Sequence, residues 1–528
     1  MDKARVGDWG RKVALSPILP FAALSTFLLF VHEPWRDEAE VWLIVRDSRS
    51  LNEFFRYMSY EGTPALWHLL LAPLAKAGLP FMAGRILHAA IATAGVAAIW
   101  FFSPFRPWER WLLAFGYYLA YEYDAIARSY ALLALMLWSA AAMEERRHRH
   151  PVQYAVVLSL LANTALHGLL IASVLGGRHA IEVLRGLRDH PWTRGLTAAI
   201  GVLVAGFGLS VLLLLPAPDL DPVVKTWYGI SHPRSEFWNI VNSIIVGLVP
   251  IPAAKHVFWD SAVLFEMRGA YKAMVACILY AAAIWSFRAD RRGRALFLLF
   301  LVLFEALFFL KYYGNNHHAG ILFLCFVFCH WIARLPVQHP RPSPEPLVAQ
   351  RPARNAFASL AAWFFPLVLV LQALGAAAAI ERDASGTFSG APALSSYLRE
   401  HHLVDGKTLL ATYHSQGAHG ALADLPGVQV FMLETGRSSS VMSWSAQWRV
   451  ANTHFTLQEA LQKIDGARPG YSRVVLIETD NSLVGPLASP PPSAGDLARL
   501  THLVTIGKDP VGSADERFDL YEVAPSAS

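Results

Sequence analysis

Runs of about 20 apolar residues recur through the first 380 positions, and no other feature of the sequence constrains the fold as strongly. Such a run crosses a bilayer as one helix, because a helix satisfies its own backbone hydrogen bonds in hydrocarbon. We place eleven spans, near 13–32, 82–103, 109–123, 126–143, 152–166, 168–184, 195–216, 270–287, 294–311, 316–334 and 356–380. Only 16% of the residues are charged, against about a quarter in soluble proteins. Residues 1–380 are therefore read as an all-α polytopic membrane domain. The first span runs into Pro34, Trp35 and several charges rather than the small residues of a cleavage site, so it is read as a retained span.

Basic clusters orient the spans. "MDKARVGDWGRK", "FRPWER", "EERRHRH", "RADRRGR" and "RLPVQHPRPSPEPLVAQRPAR" all fall on one side, taken as cytoplasmic, when the spans number eleven. Counting "PALWHLLLAPLAKAGLP" (64–80) as a further span would move two of them outside. That stretch is read instead as a helix in the outer interface, within an external loop over 33–80. In the same loop, residues 35–48 form an interfacial helix with Trp35, Ala39 and Trp42 on one side and Asp37, Glu40 and Asp47 on another. The tryptophans are expected at headgroup depth. A second external loop, 217–269, carries another interfacial helix.

Beyond the last span the pattern changes. "KTLLATYH", "GVQVFMLE", "SRVVLIET" and "RFDLYEV" read as strands, alternating with the helical "APALSSYLREHHL" and "TLQEALQKI". Residues 381–528 are thus expected to form an extramembrane α/β domain on the external, periplasmic side. No glycine-rich phosphate loop follows any of these strands, so no nucleotide site is assigned. There is no nucleic-acid signature and no internal repeat. Cys277, Cys325 and Cys329 all sit in apolar runs, and neither a disulfide framework nor a zinc site is expected.

The spans are nearly free of ionisable groups, and the polar residues collect at their outer ends. On that face stand Asp37, Glu38, Glu40 and Glu61, then Glu122, Asp124 and Arg128 in "EYDAIARSY", then His167. "KYYGNNHHAG" adds Lys311, Tyr312, Tyr313, His317 and His318. Glu305 is the exception, an acid deep in an apolar run and by default a functional candidate. A carboxylate can take the proton of an attacking hydroxyl. Arg128, His317 or Lys311 can neutralise a departing phosphate, Arg with a bidentate fork. A carboxylate base, phosphate-binding cations and a lipid-facing position point to sugar transfer from a lipid-linked phosphate.

These residues, in this order, resemble the GT-C superfamily of integral membrane glycosyltransferases, in particular its protein O-mannosyltransferase and lipid A aminoarabinose transferase branch. The resemblance rests on the acidic pair Asp37-Glu38 after the first span, Thr63-Pro64 opening a loop helix, Arg85 in "MAGRILHAA", "ARSYALLAL" at Arg128 and Tyr130, and "ALHG" at His167. It covers most of residues 10–340. The chain departs from the mannosyltransferase pattern where an acid should follow the Arg-Tyr pair. Leu133 and Ala134 stand there; either Asp124, four residues before Arg128, takes that place or no acid does.

The resemblance implies a polyprenyl-phosphate sugar as donor and a lipid, glycan or protein hydroxyl as acceptor. Asp37 is then the base, with Glu38 as the alternative base or the group that orients the acceptor. Arg128, His167, His317 and Lys311 hold the donor phosphate, and Glu61, Asp124, Tyr130 and His318 contact substrate. No residue is assigned to a metal and no cofactor is named, although a divalent metal is left open. The implied place is a bacterial inner membrane, multi-pass, with the N-terminus cytoplasmic. A transporter or flippase of lipid-linked glycans, or a non-catalytic scaffold, is the alternative.

Overall fold

The computed structural model describes residues 15–186, 192–222, 232–311, 314–336, 356–451, 455–479, 483–485, 490–512 and 516–526. Helix α1 (Ile18–Val31) stops at His32, and Pro34, with a fixed φ and no N–H to donate, separates it from α2 (Arg36–Asp47). The two helices meet at 86°. Next come α3 (Leu51–Glu61) and α4 (Leu66–Lys76). Between them Gly62 takes φ 64°, a left-handed cap that sends the chain into Thr63-Pro64.

The helical body continues with α5 (Phe81–Phe102), α6 (Pro107–Ala114), a π-turn (Tyr118–Glu122), α7 (Tyr130–Met143), α8 (Pro151–Ala162), α9 (Leu166–Gly186) and α10 (Arg194–Leu213). It ends with α11 (Pro233–Leu248), α12 (Gly269–Ser286), α13 (Arg291–Leu310), α14 (Asn316–Arg334) and α15 (Ala356–Ser385). Among the described residues six helices have the length and apolar composition to cross a membrane: α5, α10, α12, α13, α14 and residues Ala362–Ser385 of α15. These match six of the eleven expected spans.

The other five expected spans differ for identifiable reasons. Spans 126–143 and 152–166 correspond to α7 and α8, with 14 and 12 residues, whereas a crossing needs about 20. Span 13–32 corresponds to α1, which has the length and composition of a span only together with α2, as a bent pair. Span 109–123 is divided into α6 and the π-turn, whose tyrosines pack inward. Span 168–184 is α9, which carries Arg178, Glu182 and Arg185 in its second half. Helix α14 is the hub: 94% of its apolar window lies inside the protein. Its phenylalanines and Trp331 lock into the largest core cluster with α7, α13 and the π-turn.

The C-terminal region folds into a six-stranded sheet, in the order β3-β2-β1-β4-β6-β5. Strands β1 (Thr408–Tyr413), β2 (Val430–Met432) and β4 (Arg473–Glu478) run parallel, while β3 (Arg437–Ser439), β5 (Leu500–Ile506) and β6 (Phe518–Val523) are antiparallel to their neighbours. The sequence reading names β1, β2, β4 and β6. It misses β3, a short run of polar residues, and β5. Helices α16 (Ala391–Glu400), α17 (Gln416–Leu422), α18 (Ala446–Ala451), α19 (Leu457–Ala467) and α20 (Ala494–Leu497) complete this part.

Strand β1 is buried on both faces, and its two-residue alternation assigns each face to a different core. Leu409 and Ala411 pack with Leu461 and Ile464 of α19. Leu410, with Val475 and Ile477 of β4, shares a core with Trp42 of α2 and Leu71 of α4. The sheet and the loop helices therefore bury one another. Polar ties reinforce the seam: Arg46 Nη1 donates to the carbonyls of Leu422 (3.0 Å) and Ala423 (2.9 Å), and Ser440 donates to Asp47 at 2.5 Å.

This corrects the expectation for residues 35–48. Helix α2 exists, but its tryptophans face protein rather than headgroups. Trp42 is 1% exposed and lies against Phe81, and Trp35 meets Trp259 edge to face. An amphipathic helix looks the same in sequence whether its apolar side meets lipid or a second domain.

Candidate active site

Where α2, α3, α4, the segment before α7 and the sheet region converge, they enclose a cavity of about 220 Å³. Helix α2 supplies Arg36, Asp37 and Glu40. The α3–α4 turn supplies Glu61, Thr63 and Pro64, and α4 adds Trp67 and His68. Arg128 and Ser129 enter from the loop, and Gln416, Met442 and Trp444 come from the sheet region. Asp37 Oδ2 lies 3.1 Å from Arg128 Nη1, although 90 positions separate them in the chain.

Arg128 is held from behind. The Ala127 N–H donates to Glu38 Oε2 at 2.6 Å, and the Arg128 carbonyl is 2.9 Å from His88 Nε2. Its guanidinium lies over the Tyr130 ring, 5.6 Å from the centroid, and 3.5 Å from His317 Nε2. Here the structure separates the two acids of the pair. Successive helical residues point about 100° apart, so when Asp37 faces the cavity, Glu38 faces the interior. There Glu38 accepts from the Trp35 N–H and meets His32 Nε2, both at 3.1 Å. His32 in turn is 2.8 Å from Asp383 of α15, and Arg85 donates to the His32 carbonyl. Burial alone would raise the Glu38 pKa, but His32, Arg85 and the Ala127 N–H together hold it below the ordinary value. Glu38 is buried and paired and is not part of the cavity lining, whereas Asp37 is.

Glu40 and Glu61 behave in the opposite way. Burial, and next the charge of Glu61, pushes Glu40 well above its usual pKa, despite a 2.8 Å hydrogen bond from the Met442 N–H. Burial and then the neighbouring charge of Asp37 raise half-buried Glu61 to about 7, with Arg128 opposing. His68 is 2% exposed, and neither of its ring nitrogens has a hydrogen-bond partner. Burial lowers its pKa to about 3, which leaves a neutral imidazole.

The remaining expected site residues divide. Glu61 lines the cavity, Tyr130 sits beside Arg128, and His317 reaches Arg128 from the far side. His167 stacks on Phe304 and on His318, away from the cavity lining. His318 Nδ1 is 3.2 Å from the Asn315 N–H, closing the first turn of α14. Asp124 turns away and accepts from Ser25 of α1 at 2.5 Å. Lys311 follows the last residue of α13 and does not line the cavity. His167, His318, Asp124 and Lys311 are thus not gathered with Asp37, because an outer helix end can face several different neighbours. Tyr312 and Tyr313 lie outside the described residues.

Trp67, His68, Gln416, Met442 and Trp444 line the cavity without a counterpart among the residues named from the sequence, and Glu40, named there among the outer acids, had no role assigned. A Met- and Trp-containing loop, "SSSVMSWSAQW", was the signal available for Met442 and Trp444.

No family model matches the chain, and comparison with curated proteins finds no match. Among solved structures, the cryo-EM structure of the arabinofuranosyltransferase AftD from mycobacteria is similar at 14% identity and a TM-score of 0.39, over 96% of this chain and 40% of that one. The chain spans about two fifths of that protein's length.

Proposed function

We propose that this protein is a membrane glycosyltransferase of the GT-C type, moving a sugar from a polyprenyl-phosphate donor to a hydroxyl acceptor. The observation that carries the reading is the Asp37–Arg128 pair, 3.1 Å apart on the wall of a cavity that the sheet region closes. Arg128 grips the donor phosphate, which exchanges for Asp37 as its partner and frees that carboxylate. Asp37 then accepts the proton of the acceptor hydroxyl. The acceptor oxygen bonds to the anomeric carbon as the bond from that carbon to the phosphate oxygen breaks. Polyprenyl phosphate leaves, and one displacement inverts the sugar. His68 offers an unused hydrogen-bonding imidazole to a sugar hydroxyl, and Trp67 and Trp444 offer ring surfaces.

In this reading the cavity faces the periplasm, residues 1–380 form the membrane domain, and 381–528 form the external domain that completes the acceptor side. A transporter finds less support. Its main evidence was Glu305, which is instead satisfied internally by Ser243 at 2.8 Å and Tyr280 at 2.6 Å.

The test is transfer of radiolabelled sugar from a panel of polyprenyl-phosphate donors to membrane extract by purified protein. Transfer by the wild type that disappears in Asp37→Asn is expected. Undiminished transfer in that variant would remove Asp37 from the role.

A further inference from the structure

The basic turn after α7, "EERRHRH", has no part in the reaction above, yet with α9 it forms, among the described residues, a group of side chains placed to ligate a metal ion. His148 in that turn and His179 and Glu182 on α9 each offer one ligand atom, and the three atoms lie within 4.8 Å of one another. Residues 179 and 182 stand three apart on one helix face, a spacing that projects two ligands in one direction. His148 Nε2 is 3.4 Å from Glu182 Oε2. That is long for a hydrogen bond, but it is the edge of a tetrahedron whose ligands stand about 2.1 Å from a central ion.

His179 is the second, independent indication. It is 6% exposed, and neither ring nitrogen finds a hydrogen-bond partner. Its ring is fixed by an edge contact with Tyr154 (5.4 Å between centroids) and a tilted contact with His148 (5.0 Å). A buried imidazole with no partner forfeits the hydrogen bonds it made in water, and a metal ion restores one interaction. Ion entry is open, because the His148 side chain is 44% exposed.

The surrounding charge permits a cation. Arg147 and Arg178 are the guanidiniums at the site, and both are met by carboxylates. Arg147 is 2.7 Å from Glu182 and 2.8 Å from Glu144, and Arg178 bonds to Glu144. Arg178 Nε also stands 3.8 Å from Glu182, so the two guanidiniums and the two carboxylates form one network. When Glu182 turns to a metal, Arg147 keeps Glu144.

We propose that His148, His179 and Glu182 form a site for a zinc-class divalent ion, with water in the fourth position. Two imidazoles and one carboxylate suit such ions better than magnesium or calcium, which take oxygen ligands. The ion ties the turn after α7 to α9.

The full-length, untagged protein, stripped with chelator, is titrated with Co²⁺ as the optical probe and with Zn²⁺ in thermal unfolding. Expected are one equivalent of Co²⁺ with visible absorption of tetrahedral intensity and a rise of Tm with Zn²⁺. His148→Ala, an exposed change that should not disturb folding, weakens binding by about 10- to 100-fold or more, at least the effect of disturbing a metal's surroundings. Glu182→Gln weakens it as well, and His179→Ala abolishes it. Absence of Co²⁺ absorption and of any Zn²⁺ effect on Tm in the wild type would overturn the proposal. So would equal binding by wild type and His148→Ala.

Discussion

Two clusters of charge lie back to back across the start of α2, and they differ in one respect. Behind the helix, Glu38, His32, Arg85 and Asp383 are buried and bonded to one another. In front, Asp37, Glu40 and Glu61 crowd a cavity in which Arg128 and, at 3.5 Å, Arg36 pair with Asp37, and two of the three acids hold protons more tightly than usual. The rear cluster sets His32 between the carboxylates of Glu38 and Asp383. The front cluster sets like charges side by side in a cavity that also contains an unpartnered imidazole, the crowding that marks a candidate site. Adjacent residues thus have opposite meanings, and composition cannot tell them apart.

The sharpest way to break this comparison is to neutralise both acids separately. Asp37→Asn should lower transfer by about 10²–10⁴-fold, the usual worth of a general base, with an unchanged unfolding temperature. Glu38→Gln should do the reverse. It leaves buried cationic partners short of a charge, at a cost of about 3 kcal/mol, and the folded fraction should retain its turnover. Reversed outcomes in the same two assays would exchange the roles of front and back.

A smaller effect concerns pH. Because the folded-state pKa of Glu61 is raised from 4.5 to about 7, its contribution to stability is present below about pH 4.5 and is lost as pH rises through 7. The Tm of wild type relative to Glu61→Gln should fall across that window. Ionisation of Glu61 also adds negative charge to the cavity proposed for an anionic donor, so the donor KM should rise above pH 7 in wild type and stay flat in the variant. Parallel profiles would exclude Glu61 from the site. The smallest effect is expected for His68→Leu. One lost hydrogen bond to substrate should raise KM about 3- to 10-fold, while Tm holds or increases because an unsatisfied buried group has gone. A fall in Tm with unchanged KM would return His68 to the structural cluster.

The six long apolar helices were legible because a bilayer imposes a length and a composition, whereas the short and divided helices that were read as spans were not. The strands of the C-terminal sheet were legible where apolar residues run together, as in "RVVLIE", and not in the polar "RSS" of β3. Asp37 and Arg128 could be named since each stands at a helix mouth beside other polar residues. That they pair could not, because the contact depends on how distant helices pack. The burial of Trp42, the inward turn of Asp124 and the cavity wall from residues 416–444 are likewise tertiary facts with no local pattern.

The shared core between the sheet and α2 has a consequence for modularity. Trp42 and Leu71 are covered by side chains that also line β1 and β4, so this C-terminal part is no detachable accessory. Exchanging it for a relative's would rebuild the floor on which Asp37 stands, and a chain ended at residue 390 should be recovered in aggregates rather than folded. A change on the sheet side therefore reaches the wall that carries Asp37, and the two sides of the cavity are inherited as one unit.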